Sequence, residues 1–393
     1  MSYTPDIGPH GMPQTEKLKT AFTNAIGISP AMDFESVAYG KTDGWDSIAH
    51  MALVEGIESA FDIMLDTDDV RRLNGRAIDR VVPIGQALQF SRFYLRARAL
   101  GTQRFPGDGA VIDLFEKAIA RDPSLAPAWA GLAGAYAFQS GQNPNGPDHA
   151  DKLSKMRAAA EKAIQLDPLL AEAHSALGMA YARNGQWDQA EVSLRRALQI
   201  DPNLAIAHDN LTWFFLFPLG RIDQAIREAR IEVRLDPLSP MAHYLLAATL
   251  FSAGRYDEAA GQCEKLPADF VFTSECVGRA RLGQGRTAEA IRVLGTADSW
   301  GYLAYAYGRT GRREEVERLS AEAPLAYPNR HGHFQYALVY AGLKDKDRTI
   351  DQLENWAGVG PVRIGFTLTA PEFAFVRADP RVKALRRKVG LPE

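Results

Sequence analysis

Asp-Pro recurs along this chain at Asp122-Pro123, Asp167-Pro168, Asp201-Pro202 and Asp236-Pro237, with spacings of 45, 34 and 35 residues. A proline removes a backbone donor and cannot continue a helix, so each pair ends one helix and opens the next unit. The stretch "LDPLLAEAHSALGMAYARNGQWDQAEVSLRRALQIDP" shows the unit in full. Gly178, Ala190 and Ala197 are small and let two helices approach closely, while Leu177, Tyr181 and Leu194 fill the space between them. Gly185 separates the two helices. The spacing of 45 contains an inserted loop, "QSGQNPNGPDH". A period near 34 residues points to stacked helix pairs, each too small to bury its apolar face without its neighbours.

Weaker copies flank the central ones. Phe115, Ala118 and Pro123 read as the end of an early unit, and Trp129, Leu132 and Tyr136 open the next. Gly254 with Ala259, Gly285 with Ala290, and Trp300, Leu303 and Tyr307 with Gly311 continue the series, and "HFQYALVYAGLKDKDRTIDQLENW" forms a last pair. These positions resemble the tetratricopeptide repeat (TPR), which implies a right-handed α-solenoid of about eight helix pairs over residues 85–393, with a concave groove that docks a protein partner. "LKDKDRTIDQLE" and "DPRVKALRRKVGLPE" resemble the TPR tails of bacterial signalling proteins, where a winged-helix activator or a nucleotide cyclase precedes the repeats. Neither precedes them here. That likeness implies a fold and a bacterial origin and leaves activity open.

Residues 1–84 have a different grammar. The first 85 residues hold 13 acidic and 7 basic side chains, a net of −6 in a chain whose total is −3. This marks a separate acidic domain. The apolar pattern predicts a helix near 14–25, a long loop, a helix over 47–61, a turn near 67–73 and a helix near 75–82. On the 47–61 helix, Leu53, Val54, Ile57 and Phe61 share a core face. Ile48, Met51, Glu55, Glu58 and Asp62 lie opposite, an apolar and acidic face suited to docking a basic partner. Ser47 stands at the helix start, where free N–H groups and the helix dipole favour a phosphate ester. The blander reading is that Ser47 caps the helix.

"DGWDSIAHMALVEGIESAFDI" followed by "LDTDDVRRL" resembles the acyl carrier proteins. The resemblance implies a four-helix bundle, so the whole chain is expected to be all-α. It implies 4′-phosphopantetheine, derived from CoA, on Ser47 after Asp46, with a thioester-bound acyl or aminoacyl group. It also implies a phosphopantetheinyl transferase and a loading enzyme as partners, with Ile48, Met51, Glu55, Glu58 and Asp62 as their docking surface. On this reading the protein is a carrier and not an enzyme. The alternative is a TPR scaffold or regulator whose carrier-like domain is never modified.

The rest of the sequence narrows the classes further. A net charge of −3 gives no field favouring nucleic acid. No run approaches the roughly 20 apolar residues of a membrane span. "MSYTPDIGPHGMPQ" lacks the basic start and apolar core of a secretion signal. Cys263 and Cys276 form no CxxC, and the expectation is two buried free thiols in a reducing cytoplasm. No P-loop, HExxH or GxSxG occurs. His174, His208 and His243 recur at one repeat position, where packing between neighbouring helices is expected rather than a metal site. His331 and His333 have no third ligand partner in view, and Gly358 and Gly360 mark a turn.

Overall fold

The Asp-Pro turn is the joint from which the fold grows. In the computed structural model, the backbone N–H of Asp122, Asp167, Asp201 and Asp236 each closes the preceding helix, bonding the carbonyl four residues back at 2.8–2.9 Å. The carboxylates of Asp122, Asp167 and Asp201 each accept the N–H two residues on, an Asx turn. The proline then offers its carbonyl outward. Trp129 Nε1 donates to Pro123, and the Nε2 atoms of His174, His208 and His243 meet the carbonyls of Pro168, Pro202 and Pro237 at 3.0–3.1 Å. Thr273 Oγ1 repeats the bond to Pro267 at 2.6 Å. The recurring histidines are therefore structural pins that fix each helix to the turn before it.

The structure describes residues 20–21, 23–27, 47–61, 97, 109–142, 149–295, 300–326 and 332–392. Its helices are α1 (Ser47–Phe61), α2 (Ala110–Arg121), α3 (Ala126–Gln142), α4 (His149–Leu166), α5 (Ala171–Arg183), α6 (Trp187–Ile200) and α7 (Ala205–Leu211). α7 runs on through a π-helical turn, Thr212–Leu216. Then come α8 (Ile222–Leu235), α9 (Pro240–Ser252), α10 (Tyr256–Cys263), α11 (Thr273–Gly283), α12 (Thr287–Leu294), α13 (Trp300–Arg309) and α14 (Arg313–Ala326). The chain closes with α15 (His333–Gly342), α16 (Lys346–Asn355), a 3₁₀ turn Ala357–Val359, α17 (Pro361–Thr369), a second 3₁₀ turn Pro371–Val376 and α18 (Pro380–Lys388). Among the described residues there is no strand. The chain divides into two compact units, Met1–Ala135 and Tyr136–Glu393.

In the first unit, α1 begins at Ser47 as the pattern predicts. Leu53, Val54 and Ile57 are buried, which bears out the core face for those three. Gly56 lies against Ala21, where an added Cβ would sit 3.3 Å from the alanine Cβ. The expected turn near 67–73 and helix near 75–82 lie outside the described residues, so the four-helix bundle is not shown.

In the second unit the pairs run from α5/α6 to α15/α16. Gly178 and Gly278 face Leu194 and Leu294, and a Cβ on either glycine would lie 2.5 Å from its leucine. Within a pair the helices meet at that depth. Each pair turns through a residue in the left-handed region: Gly185, Gly220, Gly254, Gly285 and Gly311 at φ 70–77°, and Lys344 at 56° in the last pair. The spacing of 35 between Asp201 and Asp236 holds one residue more than the spacing of 34 before it. The π turn absorbs the extra residue, with Phe217 N bonding Thr212 O at 2.9 Å.

The expectation of two free thiols is overturned. Cys263 at the end of α10 and Cys276 in the first turn of α11 form a disulfide, with their Cα atoms 5.5 Å apart. The chain between them doubles back so that the two helix ends meet, which sequence spacing alone does not reveal. Pairing also removes the support that free thiols lent to a reducing compartment.

One buried contact runs against the ordinary rules. Glu232 on α8 is 5% exposed, and its Oε2 has no hydrogen-bond partner. Burial, then repulsion from Asp209 and Asp236, pushes its carboxyl far above the usual range, to about 10. The acid is therefore protonated in the folded state at neutral pH.

Two outcomes follow from this packing. Alkylation of the denatured, unreduced chain should add no label, and reduction first should add two. Replacing both cysteines by serine should cost about 3 kcal/mol, the stabilisation typical of a crosslink closing a loop near 15 residues. For Glu232, the raised folded pKa gives stability that is complete below the unfolded value near 4.5 and is lost as pH rises toward about 10. Glu232 and Asp209 titrate together, both carboxyls raised by burial, and the unfolding free energy should fall as pH rises above the unfolded values of the pair. Glu232→Gln should flatten that slope in urea melts, and an unchanged slope would refute the assignment.

Candidate protein-interaction groove

The first helix of each pair presents a row of side chains to one common face. From α7 onward that row is aromatic. Trp213 lies 6.5 Å from Tyr244, and Tyr244 stacks on Phe272 at 4.7 Å. Tyr244 donates its hydroxyl to Glu275 at 3.1 Å. Burial pushes that phenol well above its ordinary value, so it remains a donor. Next comes Arg279, 4% exposed, with its guanidinium 4.8 Å from the ring of Phe251 and 4.9 Å from that of Tyr302. Phe334 on α15 continues the row.

This face is covered by the chain's own C-terminal segment. After α16 the chain does not start another pair. It turns at Gly360 (φ 87°) and runs back along the first helices as α17 and the 3₁₀ turn that follows. Phe366 of α17 lies 4.7 Å from Trp213 and 4.4 Å from Phe217. Glu372 meets Arg279 through two hydrogen bonds of 3.0 and 3.3 Å, both side chains buried. Phe373 packs 6.2 Å from Phe334. Beside the start of α17, Trp187 Nε1 donates to the carbonyl of Gly390 at 2.6 Å. The face that the first helices share is therefore covered from within.

The seat is tight at one backbone contact. A Cβ at Gly365 would lie 2.5 Å from the carbonyl oxygen and 2.9 Å from the Cα of Pro218, so only glycine lets α17 approach so closely. It is strained at another point. Arg183 is half-buried and its covered Nε has no hydrogen-bond partner, although Nη1 donates to Ser140 at 2.6 Å. Burial first, and then the nearby Arg363 of α17, bring its guanidinium down to about 10.

The carrier-site residues fall in the other unit. Ser47, Ile48, Met51, Glu55 and Glu58 all lie on α1. Glu55 is exposed and Glu58 half-buried. The side chains of Ser47, Ile48 and Met51 lie outside the described residues, as do Asp46 and Asp62 altogether. Sequence reasoning missed Arg279, Gly365, Phe366 and Glu372. No local signal singled out Arg279, since α11 also carries Glu275 and Arg281, and its partner lies 93 residues away. Among the described residues no cluster of His, Cys, Asp or Glu is placed to hold a metal ion.

Comparison with known proteins agrees with this architecture. Two family models described as tetratricopeptide repeat match residues 171–204 and 216–269, so the chain carries tetratricopeptide repeats. No curated protein matches the sequence. Among solved structures, MamA is similar at 17% identity over 58% of this chain and 99% of its own, with a TM-score of 0.28. YrrB, described as a TPR protein with an unusual peptide-binding site, is 19% identical over 53% of this chain and 94% of its own, with a TM-score of 0.28. The Cut9–Hcn1 assembly is similar at 16% identity over 86% of this chain and 55% of the matched chain, with a TM-score of 0.43.

Proposed function

We propose that this chain is a non-catalytic protein-interaction scaffold that takes a polypeptide segment on the face formed by the first helices of its TPR pairs. The observation that carries this reading is the aromatic row Trp213, Tyr244, Phe272 and Phe334 with Arg279 buried in its midst. Aromatic and arginine side chains in desolvated positions are the anchors that protein interfaces favour. That the face accepts a helix is supported by the helix it already holds. A photo-crosslinking residue at Phe272 should capture the physiological partner, and one at Val192, exposed on the second helix of its pair, should not. Equal capture at both positions, or none at Phe272, would refute the groove as the binding face.

A second reading concerns the acidic unit. A helix begins at Ser47, which supports a carrier role in which Ser47 takes 4′-phosphopantetheine through a separate transferase and a loading enzyme charges the thiol. The first-turn N–H groups would favour the phosphate. Ile48, Met51, Glu55, Glu58 and Asp62 would then be the surface those enzymes read. Incubation with CoA and a promiscuous phosphopantetheinyl transferase should add the mass of one arm to the wild type and nothing to Ser47→Ala. No gain beside a competent control carrier leaves Ser47 as a helix cap and the scaffold as the whole function.

A further inference from the structure

The segment in the groove is built as a ligand. Its backbone is satisfied from within: Ile364 N bonds Gly360 O, Ala370 N bonds Thr367 O, and Phe373 N bonds Ala370 O. Arg377 closes the C-terminal end of α17 by donating to the carbonyls of Leu368 and Ala370. What it shares with the groove is side chains, Phe366, Glu372 and Phe373, and the close approach at Gly365.

The seat carries opposing costs. The Arg279–Glu372 pair is buried, and desolvation of two charges offsets much of their attraction. α17 also brings Arg363 toward the half-buried Arg183. Both ends of the segment are held independently. Gly360 turns the chain at one end, and at the other Arg381 of α18 pairs with Asp351 and Glu354 of α16 at 2.5–2.6 Å.

We propose that α17 and the 3₁₀ turn after it are a built-in competitor: they occupy the place of a helical segment of a partner protein that carries a phenylalanine followed six and seven residues later by Glu-Phe, and the partner binds by displacing them. This rests on the groove being the binding face. Tethering sets the threshold, because a competitor on the same chain acts at a high effective concentration and lowers the partner's apparent affinity by the fraction of time it is seated. Only a segment that repeats the aromatic and carboxylate contacts can win.

The test uses the full chain and a fluorescein-labelled synthetic peptide of residues 357–379, read by fluorescence anisotropy. Gly365→Ala puts a Cβ against the Pro218 backbone and leaves every groove side chain in place, while alanine favours the helix itself. The variant should bind the peptide at least tenfold more tightly than wild type. Adding Arg279→Met should lose at least tenfold of that. Equal binding by wild type and Gly365→Ala, or no binding by either, overturns the proposal. So does a Gly365→Ala dimer that excludes the peptide, which would make a second copy of the chain the occupant.

Hydrogen exchange on the wild type gives an answer that does not depend on the variant folding. Amides of 361–376 should exchange through a partial opening, at least 100-fold faster than the slowest amides of α9. Exchange of both only through global unfolding overturns the proposal. If the peptide fails to bind but crosslinking at Phe272 still captures the partner, the competitor falls and the scaffold stands. Peptide binding without any captured partner separates the two in the other direction.

Discussion

The carbonyl of a turn proline accepts a hydrogen bond from a side chain of the helix that follows it. In this chain five such carbonyls, from Pro123 to Pro267, are each met by a side chain six residues on: Trp129, His174, His208, His243 and Thr273. The bond ties the first helix of each of these pairs to the turn before it, and at Asp122, Asp167 and Asp201 the carboxylate shapes that turn. Where both contacts recur, at Asp122, Asp167 and Asp201, the helix that follows is set on its turn in the same way. Within a pair the depth of packing is set where a glycine meets a leucine, at Gly178 and Gly278. The remaining core, from Phe215 and Phe251 to Ala259 and Cys276, fills the space those contacts define.

A solenoid built this way leaves one face of its first helices without a neighbour from the repeat itself. The C-terminal segment covers it. Ile364, Leu368, Phe373 and Val376 join the apolar cluster of the last pairs, while Val362 and Phe366 join the cluster around Phe217 and Phe251. The same residues that bury apolar surface also occupy the face that a partner would need. Stability and availability are thus opposed at one place, where apolar burial, a buried ion pair and one glycine contact act together. The ion pair favours a defined geometry more than it adds net stability.

The repeat grammar was legible because it is local. Asp-Pro, the small residues at Gly178 and Ala190 and the turn glycines act within a few residues of themselves, so their pattern survives in a linear reading. The face of α1 was legible in part for the same reason: a period of 3.6 residues places Leu53, Val54 and Ile57 on one side whatever they pack against. The histidines were read as packing residues, but their bond to the proline carbonyl needed coordinates. The even period hid a local exception as well, the π turn at Thr212–Leu216, which a one-residue excess signals only once the helix is seen.

What the sequence determined by itself is the helical class, the period and the pairing of helices, since each depends on neighbours along the chain. What only tertiary structure decided is which distant groups meet. Cys263 and Cys276 are joined across a loop that folds back, and Arg279 finds Glu372 at a separation of 93 residues. No periodicity encodes such a meeting. It arises because the stacked pairs bring the end of the chain back across the face of their first helices, and there an apolar segment with one carboxylate finds an apolar wall with one buried guanidinium.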